Sequence, residues 1–221
     1  MMTNLFSSFD PATSNNMSMN WTSMLIMFSV MPYLYWKIPN QLNVMIMKIT
    51  NLMNNEFKLL INDKHNKYSM MFTSLFIMIL INNMMGLLPY VFTCTSHMMI
   101  NLTLALPLWL SFMVYGWINQ TENMLAHLIP QGTPAALMPF MVCIEMISNI
   151  IRPGSLAVRL TANMIAGHLL ITLLGNNTIE SNMTIMIMII MSMLVMFEVA
   201  VSIIQAYVFS VLSSLYSSEV K

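Results

Sequence analysis

Charge is what this 221-residue chain has least of: eight Lys+Arg and eight Asp+Glu make up 7% of it, and they cancel. Soluble domains carry about 25% charged and about 45–50% apolar residues, whereas here the apolar share is 57%. So little charge cannot wet the surface of a globule this long, and the chain is read as solvated by lipid. Zero net charge without a basic run excludes a nucleic-acid binder. Cysteine is scarce as well. Cys94 and Cys143 both lie in apolar stretches, which leaves neither a disulfide framework nor a C-x-x-C metal or redox pair. The chain has no G-x-x-x-x-G-K-[ST], so no nucleotide is bound directly, and no H-E-x-x-H metal site. His65, His97, His127 and His168 lack the pairing on facing helices that haem or copper needs. No cofactor is expected. The opening residues form neither an Arg-rich transit peptide nor a signal peptide with a basic n-region, as suits a hydrophobic protein made inside an organelle.

Methionine is abundant instead, with 29 copies. They lie all round the expected helices, which favours Met as a flexible replacement for Leu and Ile against lipid over a metal-binding cluster. A genetic code that reads an Ile codon as Met, as in animal mitochondria, produces the same bias.

A crossing of the ~30 Å bilayer core needs about 20 helical residues. The apolar runs predict transmembrane helices over 20–36, 69–89 and 98–118, the first with Trp21 and Trp36 as interfacial anchors. Between the first two, residues 42–61 have helical spacing: Leu42, Met45, Ile46, Ile49, Leu52, Met53 and Leu60 on one face, Lys48, Asn51, Asn55 and Lys58 opposite. This is the pattern of an amphipathic helix lying on the membrane. Five of the eight basic residues (Lys37, Lys48, Lys58, Lys64, Lys67) fall in this region, which assigns it to the inner side and the N-terminus to the outer one. The remaining runs, 135–174 and 183–216, are joined by the polar stretch from Gly175 to Asn182. A helix of the second length is about 51 Å long and overshoots the core. The fold expected is therefore an all-α integral membrane protein, one domain over 1–221, with short transmembrane helices, an inner-side amphipathic helix and a long, steeply tilted antiparallel hairpin whose C-terminus is inside.

Ionisable groups inside a bilayer cost upward of ~2.5 kcal/mol and are functional candidates by default. The hairpin holds Glu145, Arg152, Arg159, His168 and Glu198, accompanied by Asn149, Asn163, Thr161, Ser202 and Gln205. Arg159 sits deep in apolar helix, cannot shed its proton, and must face an anion, water or a partner protein. The plain alternative is an internal salt bridge to Glu145 or Glu198. Arg152, just before Pro153-Gly154, reads as a kink near the inner interface. His168 and Glu198 form either a buried structural hydrogen bond or a titratable pair. Glu145, Arg159 and His168 follow one another at about 21 Å and 13 Å of helix rise. A titratable group toward each side of a permanent cation describes two half-pathways for protons, blocked in the middle. Glu122 and Glu180 are assigned to solvated loops.

The stretches Leu128-Ile-Pro-Gln-Gly-Thr-Pro134, Ile144-Glu145-x-x-Ser-Asn-Ile-Ile-Arg-Pro-Gly154 and Leu156-Ala-Val-Arg-Leu-Thr-Ala-Asn-Met-Ile-Ala-Gly-His168 resemble the subunit a family of mitochondrial F-type ATP synthases. The opening Leu5-Phe-Ser-Ser-Phe-Asp-Pro11, Ala105-Leu-Pro-Leu-Trp109 and Gln205-Ala-Tyr-Val-Phe209 agree. The likeness runs nearly end to end, closest to arthropod versions and weakest over 176–196. It implies a non-catalytic proton-translocating stator subunit of the mitochondrial inner membrane, multi-pass, with its N-terminus in the intermembrane space and its C-terminus in the matrix. The partners it implies are a c-ring, the peripheral stalk, other small membrane subunits and the lipid bilayer. In the family's terms Arg159 faces each c-ring carboxylate, Glu145 belongs to the inner half-channel, and His168, Glu198 and Asn163 to the outer one. Gln205 is the polar partner of Arg159. That last pairing needs a stagger: helices ending at Leu174 and restarting at Met183, unstaggered, set Arg159 level with Glu198 and Gln205 about 10 Å further in.

Two other classes are weighed against this. A secondary transporter holding an anionic substrate on Arg159 is disfavoured by the absence of repeated halves and paired broken helices. A respiratory-complex subunit is disfavoured by the missing haem and copper ligands and the missing midmembrane Lys.

Overall fold

Lipid cannot hydrogen-bond a backbone, so an apolar chain must satisfy its N–H and C=O groups within each segment, and helix does that. The computed structural model describes residues 5–14, 17–32, 35–61, 67–129, 134, 137–180 and 184–219. Apart from one isolated bridge between Ser14 and Met17, the described residues contain helices and no strand. The α-helices are α1 (Ile26–Val30), α2 (Gln41–Ile61), α3 (Lys67–Gly86), α4 (Met98–Asn119), α5 (Thr121–His127), α6 (Met138–Glu180) and α7 (Thr184–Glu219). Among the described residues, four segments are long and apolar enough to cross a membrane: Tyr68–Gly86, Met98–Asn119, Met138–Asn176 and Thr184–Ser218.

The helix expected over 20–36 is corrected. A 3-10 helix over Met19–Leu25 leads into the five residues of α1, and the helical stretch stops at Val30, two residues before Pro32. Pro32 helps set the end, since the residue before a proline is pushed out of the α region, and side-chain contacts hold the segment in place. Thr22 and Ser29 donate back to the carbonyls of Met19 and Ile26, and Ser23 Oγ lies 2.7 Å from Cys94 Sγ. This docks the segment on the α3–α4 connection, where Trp21, Phe92 and His97 pack with ring centroids 5.0–5.8 Å apart.

The amphipathic helix and the two short spans appear within a few residues of their expected ends. Helix α2 differs in one respect. Phe57 and Ile61 are buried against α3 and α7, while Leu42, Met45, Ile49, Leu52 and Leu59 stay exposed. Its apolar surface is thus shared between the bundle and lipid. Helix α6 runs through the polar stretch to Glu180, six residues beyond Leu174, and Glu122 lies in α5 instead of a loop. The starts expected at Ala135 and Met183, loop residues 130–133, Lys64 and His65 fall outside the described residues.

At 1.5 Å per residue the 36-residue α7 is about 54 Å long, so keeping its apolar length in a ~30 Å core demands a steep slant. The core lies where α2, α3, α4, α6 and α7 meet. It comprises Phe57, Ile61, Phe72, Phe76, Ile79, Ala105, Leu156, Ala157, Leu160, Ala206 and Phe209. Along α7, Ser202, Ser210, Ser213 and Ser214 are buried, and each hydroxyl donates to a carbonyl three or four residues back. Small side chains that satisfy themselves let helices approach closely in a medium without hydrophobic driving force.

Candidate functional site

The hairpin pairing decides which polar side chains meet. A Cβ on Gly167 would fall 2.7 Å from Glu198 Cδ and 2.8 Å from its Oε1, so the Glu198 carboxyl rests against the bare backbone of α6. Leu160, Asn163, Met164 and Gly167 of α6 line one small cavity with Glu198, Val201, Ser202 and Gln205 of α7 and Asn83 of α3. Gly167 therefore stands opposite Glu198, and Leu160, next to Arg159, shares the cavity with Gln205. The register sets Gln205 level with Leu160, because α6 continues to Glu180, but Gln205 and Arg159 share no hydrogen bond among the described residues. The premise that α6 ends at Leu174 is what the structure overturns.

This cavity is about 20 Å³, room for one water molecule. Its polar walls are unusually bare. Both carboxyl oxygens of Glu198 and both amide atoms of Asn83 are buried without a hydrogen-bond partner among the described residues. Buried polar atoms nearly always have a partner, so four of them around one cavity suit it to a small hydrogen-bonding guest such as water. Asn83 is 0% exposed. The signal for it in the sequence is the amide pair Asn82-Asn83 within an otherwise apolar run. His168 lies beside the cavity on α6, half-buried, with its Nε2 unpartnered among the described residues. Its ring meets the edge of Phe9 at 6.2 Å, and Phe9 is held by a 3.0 Å hydrogen bond from His97 Nε2 to its carbonyl.

A second, much larger cavity opens on the other side of Arg159. It measures about 400 Å³ and has Glu145, Asn149, Arg152 and Tyr216 set among Trp109, Phe112, Trp117 and Leu128. Here the charges are matched: Arg152 Nη2 is 3.6 Å from Glu145 Oε1. Arg152, read from the sequence as marking a kink before Pro153, thus also pairs with Glu145.

Arg159 stands between the two sets. On α6 the large cavity takes residues 145–152 and the small one residues 160–167. Its side chain is exposed on the outer face of the hairpin, and it has no ion pair or hydrogen bond among the described residues. The internal salt bridge to Glu145 or Glu198 is absent from the described residues: Glu145 turns to Arg152, and Glu198 faces Gly167. Around Arg159 the exposed positions Ser155, Ala162 and Ala166 are small, while Val158, Leu170 and Leu173 are apolar.

The described residues form a helical bundle with four membrane-length helices, an unpaired cation exposed on its surface and a polar cavity to either side of it, which is the architecture of an integral membrane protein. Residues 17–218 match the sequence profile of the ATP synthase A chain family. Over the full length of both chains the sequence is 57% identical to the protein named ATP synthase subunit a of Drosophila melanogaster. It is 58% identical to those of Anopheles gambiae and Aedes albopictus, again end to end. The chain belongs to the ATP synthase A chain family.

Proposed function

We propose that this chain, a subunit of the ATP synthase membrane sector, is the non-catalytic stator element that carries protons to and from a ring of c subunits. It would do so in the mitochondrial inner membrane, with its N-terminus in the intermembrane space and its C-terminus in the matrix. The observation that carries the reading is Arg159. A guanidinium cannot be neutralised, and leaving one against hydrocarbon is costly. An exposed, unpaired arginine at mid-span needs an anion supplied from outside the chain. The small residues around it allow a partner helix to come close.

A carboxylate on that partner is favoured as an anion beside Arg159 and so releases its proton there. On either side of Arg159 it meets a polar cavity. The small cavity, with Glu198, Asn163, Gln205 and Asn83, and His168 beside it, forms the outer half-channel that loads a proton. The large cavity around Glu145 forms the inner half-channel that takes it away. A proton can then cross only by riding the ring the long way round. Each elementary charge moved through the membrane potential releases about 2.3 kcal/mol per 100 mV, and rotation delivers that energy elsewhere in the complex. The peripheral stalk and small membrane subunits hold the chain against the ring.

The test is Arg159→Ala in the assembled complex. ATP synthesis and ATP-driven proton pumping should fall to background while the complex keeps its subunits. Coupled transport that survives the substitution would reduce Arg159 to a structural ion.

A further inference from the structure

Glu145, Arg152 and Arg159 recur at intervals of seven residues on α6. Seven residues are nearly two turns, so the three lie along one ridge at steps of about 10 Å. Arg152 therefore stands between the inner cavity's carboxylate and the mid-span arginine. It points back toward Glu145 instead of on toward Arg159, as the 3.6 Å Nη2–Oε1 contact records. What turns it is on the neighbouring helix: the Arg152 guanidinium carbon lies 5.3 Å from the centre of the Tyr216 ring of α7. That is within cation–π range. Both partners line the large cavity, and Pro153 follows directly in α6.

We infer that Arg152 is a positioning residue for proton exit: steadied on the Tyr216 ring, it holds the Glu145 carboxylate aimed into the inner cavity. A Glu side chain has three rotatable bonds and, in a cavity of about 400 Å³, ample room to swing. A cation 3.6 Å away narrows that freedom, and orientation of the acceptor is what a proton relay needs. Among the described residues lining this cavity, Glu145, Arg152 and Tyr216 are the ionisable ones. Arg152 does not exchange protons itself. The inference rests on the inner half-channel reading.

The experiment measures ATP synthesis by the assembled complex in vesicles, as a double-mutant cycle. Arg152→Gln should lower the rate about fivefold, within the range expected for two groups in contact. Arg152→Lys, which keeps the cation, should recover most of it. In a Glu145→Gln background the same Arg152→Gln should add almost nothing, since the group being aimed is gone. Tyr216→Leu should reproduce part of the loss with wild-type residues at 145 and 152. A lysine as harmful as glutamine, or an undiminished Arg152→Gln effect in the Glu145→Gln background, would overturn the inference. Should Arg152→Gln fail to assemble, Tyr216→Leu carries the test, and a wild-type rate there refutes the positioning role. A failure of Arg159→Ala to abolish coupling refutes the half-channel reading itself, whereas a negative result confined to Arg152 and Tyr216 removes only this step.

Discussion

The two cavities flanking Arg159 solve opposite problems with the same side-chain chemistry. The one around Glu145 is wide, about 400 Å³, and its carboxylate is paired with a guanidinium. The one around Glu198 holds room for a single water, and its carboxylate has no partner among the described residues. Width decides tolerance. On the proposed half-channel reading, a broad cavity can admit several waters and offer a proton alternative routes, whereas a one-water cavity makes every wall part of the route. The difference also shows in the backbone: Gly167 is bare because the Glu198 carboxyl occupies the place of its side chain.

Removing the carboxylate from each side should separate the cavities most. Glu198→Gln is expected to lower ATP synthesis by roughly a hundredfold, the scale of losing a positioned proton-transfer group. Glu145→Gln should be milder, since water can bypass it. Rates in vesicles holding the assembled complex check this, and equal losses at the two positions would remove the contrast between narrow and wide pathways.

The glycines give a smaller but cleaner contrast. Gly167→Ala puts a methyl group 2.7 Å from Glu198 Cδ, so the carboxyl or the helix pair must move. Displacements of about 1 Å at a reacting group can cost a hundredfold, and a loss of about tenfold is expected here because the Glu198 side chain can yield. Gly154→Ala, on the same helix beside the large cavity, meets nothing within 4 Å. It should leave the rate within about twofold of wild type and raise helix stability slightly, by about 0.5–1 kcal/mol. Thermal denaturation of the assembled sector alongside the rate assay distinguishes these outcomes. An inert Gly167→Ala would mean that the Glu198 carboxyl has space the helix packing denies it.

Much of this was legible in the chain because a bilayer enforces simple rules. Apolar runs of fixed length, one Lys-rich amphipathic stretch and a few forbidden charges define the helices and single out Glu145, Arg159, His168 and Glu198. The first span departs from its apolar pattern because Pro32 cuts it short and because Ser23 meets Cys94 on a distant connection, a contact hydropathy does not record. The end of α6 departs as well. Gly175 to Glu180 looks like a turn, yet the helix continues through it, and those six residues set the hairpin register that brings Gln205 beside Leu160. Asn83 and the turning of Arg152 toward Glu145 depend on α3 and α7 arriving at particular depths, which no local pattern records.

The central claim is that Arg159 separates two pathways that would otherwise meet. Passive proton conduction down a pH gradient, through membranes containing the assembled complex with its ring cross-linked to the stator, tests it most directly. Wild type should remain tight and Arg159→Ala should leak, with the leak suppressed again when Glu198→Gln is added. A mutant as tight as wild type would contradict the account.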